Sequence, residues 1–261
     1  MAKTLAIVSG KGGVGKTTVA INLGLALNNF GRRILVVDAD ILKPNLGLRL
    51  GLRHNKLKSH SIHSAIEENK TLDEVVYIHS SGLKLVPGDS SIIPRPVVIA
   101  KKVFDDIRSS ELVILDSPPG FGSVMGDVLK IADALIVVVT PDPVAVQDGL
   151  RTLRMAQKQQ LNVLGIIVNR YIPGESELSP EDIFKITGIN VLAVIPESHD
   201  VHEAAKLRTP TSHINPDSEF SEGFKKLAAG LLGQEYVSSL EKEEQKSLFS
   251  QLLEKLGLKN G

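Results

Sequence analysis

The chain has no cysteine among its 261 residues, which excludes disulfides, thiolate metal sites and cysteine-ligated iron–sulfur clusters. It carries no excess of either charge. Its 30 basic and 30 acidic residues cancel, unlike the strongly basic profile of a typical nucleic-acid binder. No apolar run approaches the ~18 residues needed to span a membrane. The first residues enter a β-rich run at once, without the charged and apolar regions of a signal peptide, so the expected location is the cytoplasm. Internal repeats and low-complexity segments are also missing. What remains is a hydrophobic fraction of 42%, ample for one large core.

The sharpest local signal is Gly10-Lys11-Gly12-Gly13-Val14-Gly15-Lys16-Thr17-Thr18, which fits the phosphate-binding pattern G-x-x-x-x-G-K-[ST]. A short β-rich run precedes it. A helical pattern with apolar Val19, Leu23, Ala26 and Leu27 follows. Strand, glycine loop and helix N-terminus together make an anion site. The glycines let backbone N–H groups converge, and the helix dipole favours negative charge there. On this reading residues Gly10 to Thr18 hold a nucleotide. Lys16 reaches its terminal phosphates, and Thr17 offers its hydroxyl to Mg²⁺.

Short apolar, β-branched runs alternate with helical ones along the chain. Strands are expected at 5–9, 34–38, 83–87, 112–116, 134–140, 163–168 and 191–195. Helices are expected at about 16–30, 95–109, 124–131, 144–160, 179–187, 198–207 and 218–232. Strands apolar on both faces belong in a parallel sheet covered by helices. The predicted fold class is therefore α/β: a doubly wound, mostly parallel sheet of about seven or eight strands in three layers. Ligands should meet it at the carboxyl ends of the strands. The excursion at 41–82 holds two short helical pieces, and Thr71 with Glu74 reads as a capping box.

Three aspartates fall at that carboxyl edge. Asp38 and Asp40 follow the second strand, and Asp116 ends the fourth. Mg²⁺ on a nucleotide takes hard oxygen ligands, often through water, so Asp116 and Asp38 join Thr17 as the metal set. Asp40 lies on a loop, where it can face a γ-phosphate and orient water. Strand-ending aspartates also cap loops and helices, and Asp142 reads as such a helix cap.

An ordinary phosphate loop does not need a second lysine at Lys11. With it, Lys11 to Thr18 resembles the deviant Walker A loop of the MinD/ParA family, in the SIMIBI class of P-loop ATPases, and most of all its MinD branch. The resemblance covers roughly residues 1–232. It implies that Lys11 reaches the nucleotide of the partner subunit in an ATP-bound homodimer, so Lys11, Lys16 and Asp40 form the catalytic set. Asp38-Ala39-Asp40 with Pro44-Asn45-Leu46 resembles the first switch, and Asp116 to Gly120 the second, with the Gly120 backbone sensing the γ-phosphate. Asn169 is then the adenine reader, with Arg170, Pro196 and Glu197 beside the base. The segment from Thr140 to Asp148 lies near the dimer face. No guanine-reading pattern follows a strand, so the implied cofactors are ATP/ADP and Mg²⁺.

The implied function is an ATPase switch. ATP drives dimerisation and recruitment to a membrane or a partner. Slow, partner-stimulated hydrolysis resets it, in cell division or another positioning task. Two alternatives stand beside it. One is a ParA-like partition ATPase on DNA, for which Arg49, Arg53, Lys56 and Lys58 form only a small basic cluster. The other is a non-hydrolysing scaffold for a polar complex. A regulatory or cargo protein is expected as partner; nucleic acid is not.

The chain divides into an ATPase domain at 1–235 and a tail at 236–261. In the tail, Leu248, Phe249, Leu252, Leu253 and Leu256 fall on one helical face. The resemblance implies a membrane-binding helix that works in pairs. The tail has few lysines and several glutamates, so packing on its own domain or pairing with another protein stays open. Peripheral location at the inner face of the cell membrane rests on this segment.

Overall fold

Residues 134–139 read Ala-Leu-Ile-Val-Val-Val, and five of the six are buried, as a central strand with both faces covered requires. The computed structural model describes residues 2–52, 57, 59–91, 101–104 and 107–239. Its strands are β1 (Lys3–Val8), β2 (Ile34–Asp38), β3 (Tyr77–Ile78), β4 (Lys84–Val86), β5 (Leu112–Asp116), β6 (Ala134–Val139), β7 (Asn162–Tyr171) and β8 (Val191–Pro196). They lie side by side as β3-β4-β2-β5-β1-β6-β7-β8. Every pairing is parallel except β3 with β4. The expected doubly wound α/β fold is present, with eight strands.

The α-helices are α1 (Lys16–Asn29), α2 (Leu46–Arg49), α3 (Ile62–Glu67), α4 (Ser123–Ile131), α5 (Pro143–Lys158), α6 (Pro180–Thr187), α7 (Asp200–Leu207), α8 (Thr211–Ile214) and α9 (Glu219–Leu231). Successive side chains of a strand point to opposite faces, and the two cores follow that rule. Leu5 and Ile7 of β1 pack with Val19, Leu23 and Leu27 of α1 and with Phe220 and Phe224 of α9. Ala6 and Val8 pack on the other face with α4 residues Val128 and Leu129 and α5 residues Val146 and Leu153. Each face buries its own layer, and the carboxyl edge is left to loops.

Several expectations need correction. β3 escaped the sequence pattern because two residues carry no periodicity. β7 runs past the expected end at 168 to Tyr171, with a break in register between Asn169 and Tyr171. Arg170 takes the left-handed conformation there, φ 64°, so the strand turns aside and then resumes pairing at Pro196. The expected capping box is present, with the Thr71 N–H donating to the Glu74 carboxylate at 2.7 Å, and what it starts is a 3₁₀ turn, Leu72–Val75. Most of the expected 95–109 helix lies outside the described residues; Lys101–Phe104 is a 3₁₀ turn. The tail positions Leu248, Phe249, Leu252, Leu253 and Leu256 also lie outside them. Residues 236–239 lie on the domain: the Tyr236 and Ser239 hydroxyls donate to Glu222 of α9 at 3.1 and 3.0 Å. The Tyr236 ring also meets Phe30, just past α1, edge to face at 5.9 Å.

Candidate functional site: a phosphate loop with three carboxylates

β1 delivers the chain to the carboxyl edge, and residues 9–15 turn it into α1. Gly15 caps α1 in the left-handed conformation, φ 97°. The space a Cβ would need is taken by Asn169 Nδ2, at 2.2 Å, so a side chain there is barred twice. At Gly10 a Cβ would sit 2.3 Å from the backbone oxygen of Asp148, so α5 packs directly on the loop. The Asp148 backbone supports Gly10, and its carboxylate pairs with Arg151 at 2.9 Å.

Lys16 is buried at the start of α1, where its ammonium donates to Ser9 Oγ at 2.8 Å. Ser9 in turn donates to the Lys11 carbonyl at 2.6 Å. Burial pulls the Lys16 pKa down, and the nearby carboxylates Asp116 and Asp40 oppose that. Sequence reasoning passed over Ser9, which belongs to no motif position; only its place before Gly10 marks it.

Asp38 and Asp116 are register partners on adjacent parallel strands, so two carboxylates stand side by side. Asp38 is fully buried. Its Oδ2 accepts the N–H groups of Asn45 and Leu46, both at 3.0 Å, and this clamps α2 to the sheet edge. Burial first, and then the charge of Asp116, push the Asp38 pKa well above the ordinary range. No donor meets either Asp116 oxygen in full hydrogen-bond geometry, although the neighbouring Thr17 hydroxyl is close enough to act on its charge. Burial raises its pKa to about 6, against the pull of the Thr17 hydroxyl and the Lys16 ammonium. Asp40 accepts the Lys43 N–H at 3.2 Å and lines a cavity of about 340 Å³ with Lys16, Thr17 and Ser117.

Four buried side-chain oxygens near this cavity therefore lack partners: both of Asp116, Oδ1 of Asp38 and Oδ1 of Asn45. Buried polar atoms without partners are costly, and a hydrated cation relieves such a cost. Among the described residues no group of three or more His, Cys, Asp or Glu forms a ready metal cage. The donors present suit a magnesium ion that brings its own waters and phosphate oxygens.

Lys11 is half-exposed, and its ammonium lies 3.7 Å from Asp142. Asp142 caps α5, accepting the Ala145 N–H at 2.9 Å and the Thr140 hydroxyl at 2.5 Å. Burial works against its charge, but these donors and Lys11 win and hold its carboxyl below the usual range. The helix-cap reading of Asp142 holds, and the same carboxylate receives Lys11 within the chain.

A second cavity, about 490 Å³, opens beside the loop. Its lining includes Gly13, Gly15, Thr18, Asn169, Arg170, Pro196 and Glu197, so the residues expected around a base do come together. Asn169 is differently engaged than expected. Its Nδ2 donates one N–H to the Val14 carbonyl at 2.7 Å, which leaves the second N–H and the carbonyl oxygen free to meet a ligand. Arg170 donates to Glu197 at 2.6 Å and ties β7 to β8 at the rim. Gly120 is also in the left-handed conformation, φ 78°, with its N–H donating to the Ser9 carbonyl at 3.2 Å. Arg49, His202 and Phe220 also line the cavity; the residue pattern gave none of them a place there.

A family model described as ParA, NUBPL iron-transfer P-loop NTPase, matches residues 1–232. The chain belongs to the ParA family. An uncharacterised ATP-binding protein of Methanocaldococcus jannaschii is 32% identical, over 94% of this chain and 93% of its own. The flagellum site-determining protein YlxH of Helicobacter pylori is 29% identical, over 98% of this chain and 91% of its own. Among solved structures, the septum site-determining protein MinD of Pyrococcus horikoshii, complexed with Mg-ADP, superposes with a TM-score of 0.79. It is 28% identical, covering 88% of this chain and 96% of that one. The ParA-family chain thus has the P-loop NTPase fold of MinD, and relatives with site-determining roles match nearly its whole length.

Proposed function

We propose that this ParA-family protein is a MinD-like ATPase that works as a positioning switch. The observation that carries the proposal is the loop itself: Lys16 buried against Ser9, beside an Asp116 whose oxygens have no partner. Such a site is electrostatically incomplete, and a nucleotide with Mg²⁺ completes it. Gly10 to Thr18 bind the phosphates, and Thr17 holds Mg²⁺, with Asp116 and Asp38 acting through its waters. Asp40 orients the attacking water. When bound, the cation neutralises charge on the phosphates. Asn169, Arg170, Pro196 and Glu197 surround the adenine.

In this proposal Lys11 leaves Asp142 when two ATP-bound copies meet, and each Lys11 reaches the neighbour's nucleotide. Contacts to the γ-phosphate order the loops at 38–46 and 116–120, and hydrolysis releases them. The dimer engages a membrane through the tail, whose paired weak anchors gain by avidity. The iron-transfer role in the family description does not extend to this chain through thiolate ligands, because it has none. The ParA-like DNA reading loses part of its basis, because Arg49 faces the nucleotide cavity; Arg53, Lys56 and Lys58 lie outside the described residues.

Asp40→Ala with ATP should elute as a persistent dimer in size-exclusion chromatography. Adding Lys11→Ala to that variant should return it to monomer. A single variant that stays monomeric, or a double variant that stays dimeric, would refute the mechanism. A second reading, a scaffold that positions a polar complex, is favoured by the likeness to YlxH over 98% of the chain. Positioning that survives intact in the Asp40→Ala variant would select it.

A further inference from the structure

Arg49 stands where the two cavities of the site meet. Four residues line both: Gly13, Gly15, Asn45 and Arg49. Arg49 is the only one of the four with a charge. Its Nη1 donates to Thr18 Oγ1 at 3.4 Å, which holds the guanidinium over the first turn of α1. The smaller cavity contains the Lys16 and Thr17 end of the loop, where terminal phosphates and cation belong. The larger contains Asn169 and Pro196. A nucleotide that fills both must pass the junction with the phosphate nearest its ribose.

We infer that Arg49 is a further nucleotide-binding residue, a cation in cis for the phosphate joined to the ribose. The inference rests on the nucleotide reading given above. A guanidinium presents paired N–H groups that match phosphate oxygens, and such charge-assisted bonds are strong. Lys16 already serves the terminal phosphates, so Arg49 is not redundant with it. Its position has a consequence for control. Arg49 is the last residue of α2, and Asp38 clamps the start of α2 through the N–H groups of Asn45 and Leu46. A phosphate held by Arg49 therefore draws α2 onto the nucleotide whether or not a γ-phosphate is present. Diphosphate and triphosphate should both close this segment, and the γ-phosphate then acts on the loops at 38–44 and 116–120 rather than on α2.

The test is equilibrium binding, which does not depend on turnover. Titrating ADP and a non-hydrolysable ATP analogue into the Arg49→Gln variant should show both affinities reduced by about tenfold or more, as loss of a bond to a charged group implies. Arg49→Lys should recover part of the loss, and rising salt should weaken the glutamine variant less than the parent. Unchanged affinities in Arg49→Gln, or a loss confined to the triphosphate analogue, would overturn the inference. A parent protein that binds neither nucleotide would instead sink the ATPase reading beneath it. Arg49 is exposed, so thermal unfolding without nucleotide should match the parent; if the glutamine variant melts early, the lysine variant decides by the same affinities.

Discussion

Asp116 illustrates how a single residue can hold an unfavourable charge for later use. Burial raises its carboxyl to about 6 in the folded chain, while an unfolded aspartate titrates near ~4. The folded state therefore binds this proton more tightly. Between about pH 4 and 6, folded Asp116 keeps a proton that the unfolded chain has released, so stability falls as pH rises. Above about pH 6 the full cost is present, on the order of 2–3 kcal/mol. Asp116→Asn should flatten that decline in denaturant melts of the ligand-free protein across this range. A decline as steep as in the parent would mean that the burdened group lies elsewhere. Residues of this kind were legible in the sequence because the chemistry demands them at fixed spacing: Lys16, Thr17 and Asp116 are tied to loop and strand end. Ser9 and Arg49 were not, since a serine before a glycine and an arginine in a four-residue helix match no spacing rule. Asn169 was found on the right strand, yet its hold on Val14 depends on a fold that brings residues 155 positions apart together.

At the scale of elements, apolar patterning was a good guide wherever it extended over five residues or more. β2, β5 and β6 are short, apolar and buried, and all three lie near their expected limits. α1 is buried almost all round, because β1, β2, β5 and α9 surround it, and its glycine-loop start marked it more clearly than its periodicity. β7 was misjudged at its end because a left-handed arginine inside a strand leaves no signature in residue order. α9 closes the layer over α1 through Phe220 and Phe224, whose rings lie 5.1 Å apart. Phe224 is fully buried, and its removal leaves a cavity between two helices and the sheet. Phe224→Ala should cost about 3–5 kcal/mol in urea denaturation. A loss below about 1 kcal/mol would mean that α9 is not part of the cooperative core.

At the scale of the molecule, fold and family followed from the sequence, whereas the resting partner of Lys11 did not. Nothing in residue order ties position 11 to position 142; only the packing of α5 on the loop does. If the tail attaches the switch to lipid, the full-length protein should sediment with anionic vesicles more strongly in ATP than in ADP, and Phe249→Glu should abolish that difference. Equal sedimentation in both nucleotides would leave the tail without nucleotide control.

The Tyr236 contacts bear on geometry as well as stability. α1 starts at the phosphate loop and, at about 1.5 Å per residue, its 14 residues carry the chain roughly 20 Å to the opposite rim of the sheet. Tyr236 is moored beside that far end, against Phe30 and Glu222. Under the proposed switch, a tether starting here is fixed roughly two nanometres from the loop that would meet a second copy, at the other edge of the sheet.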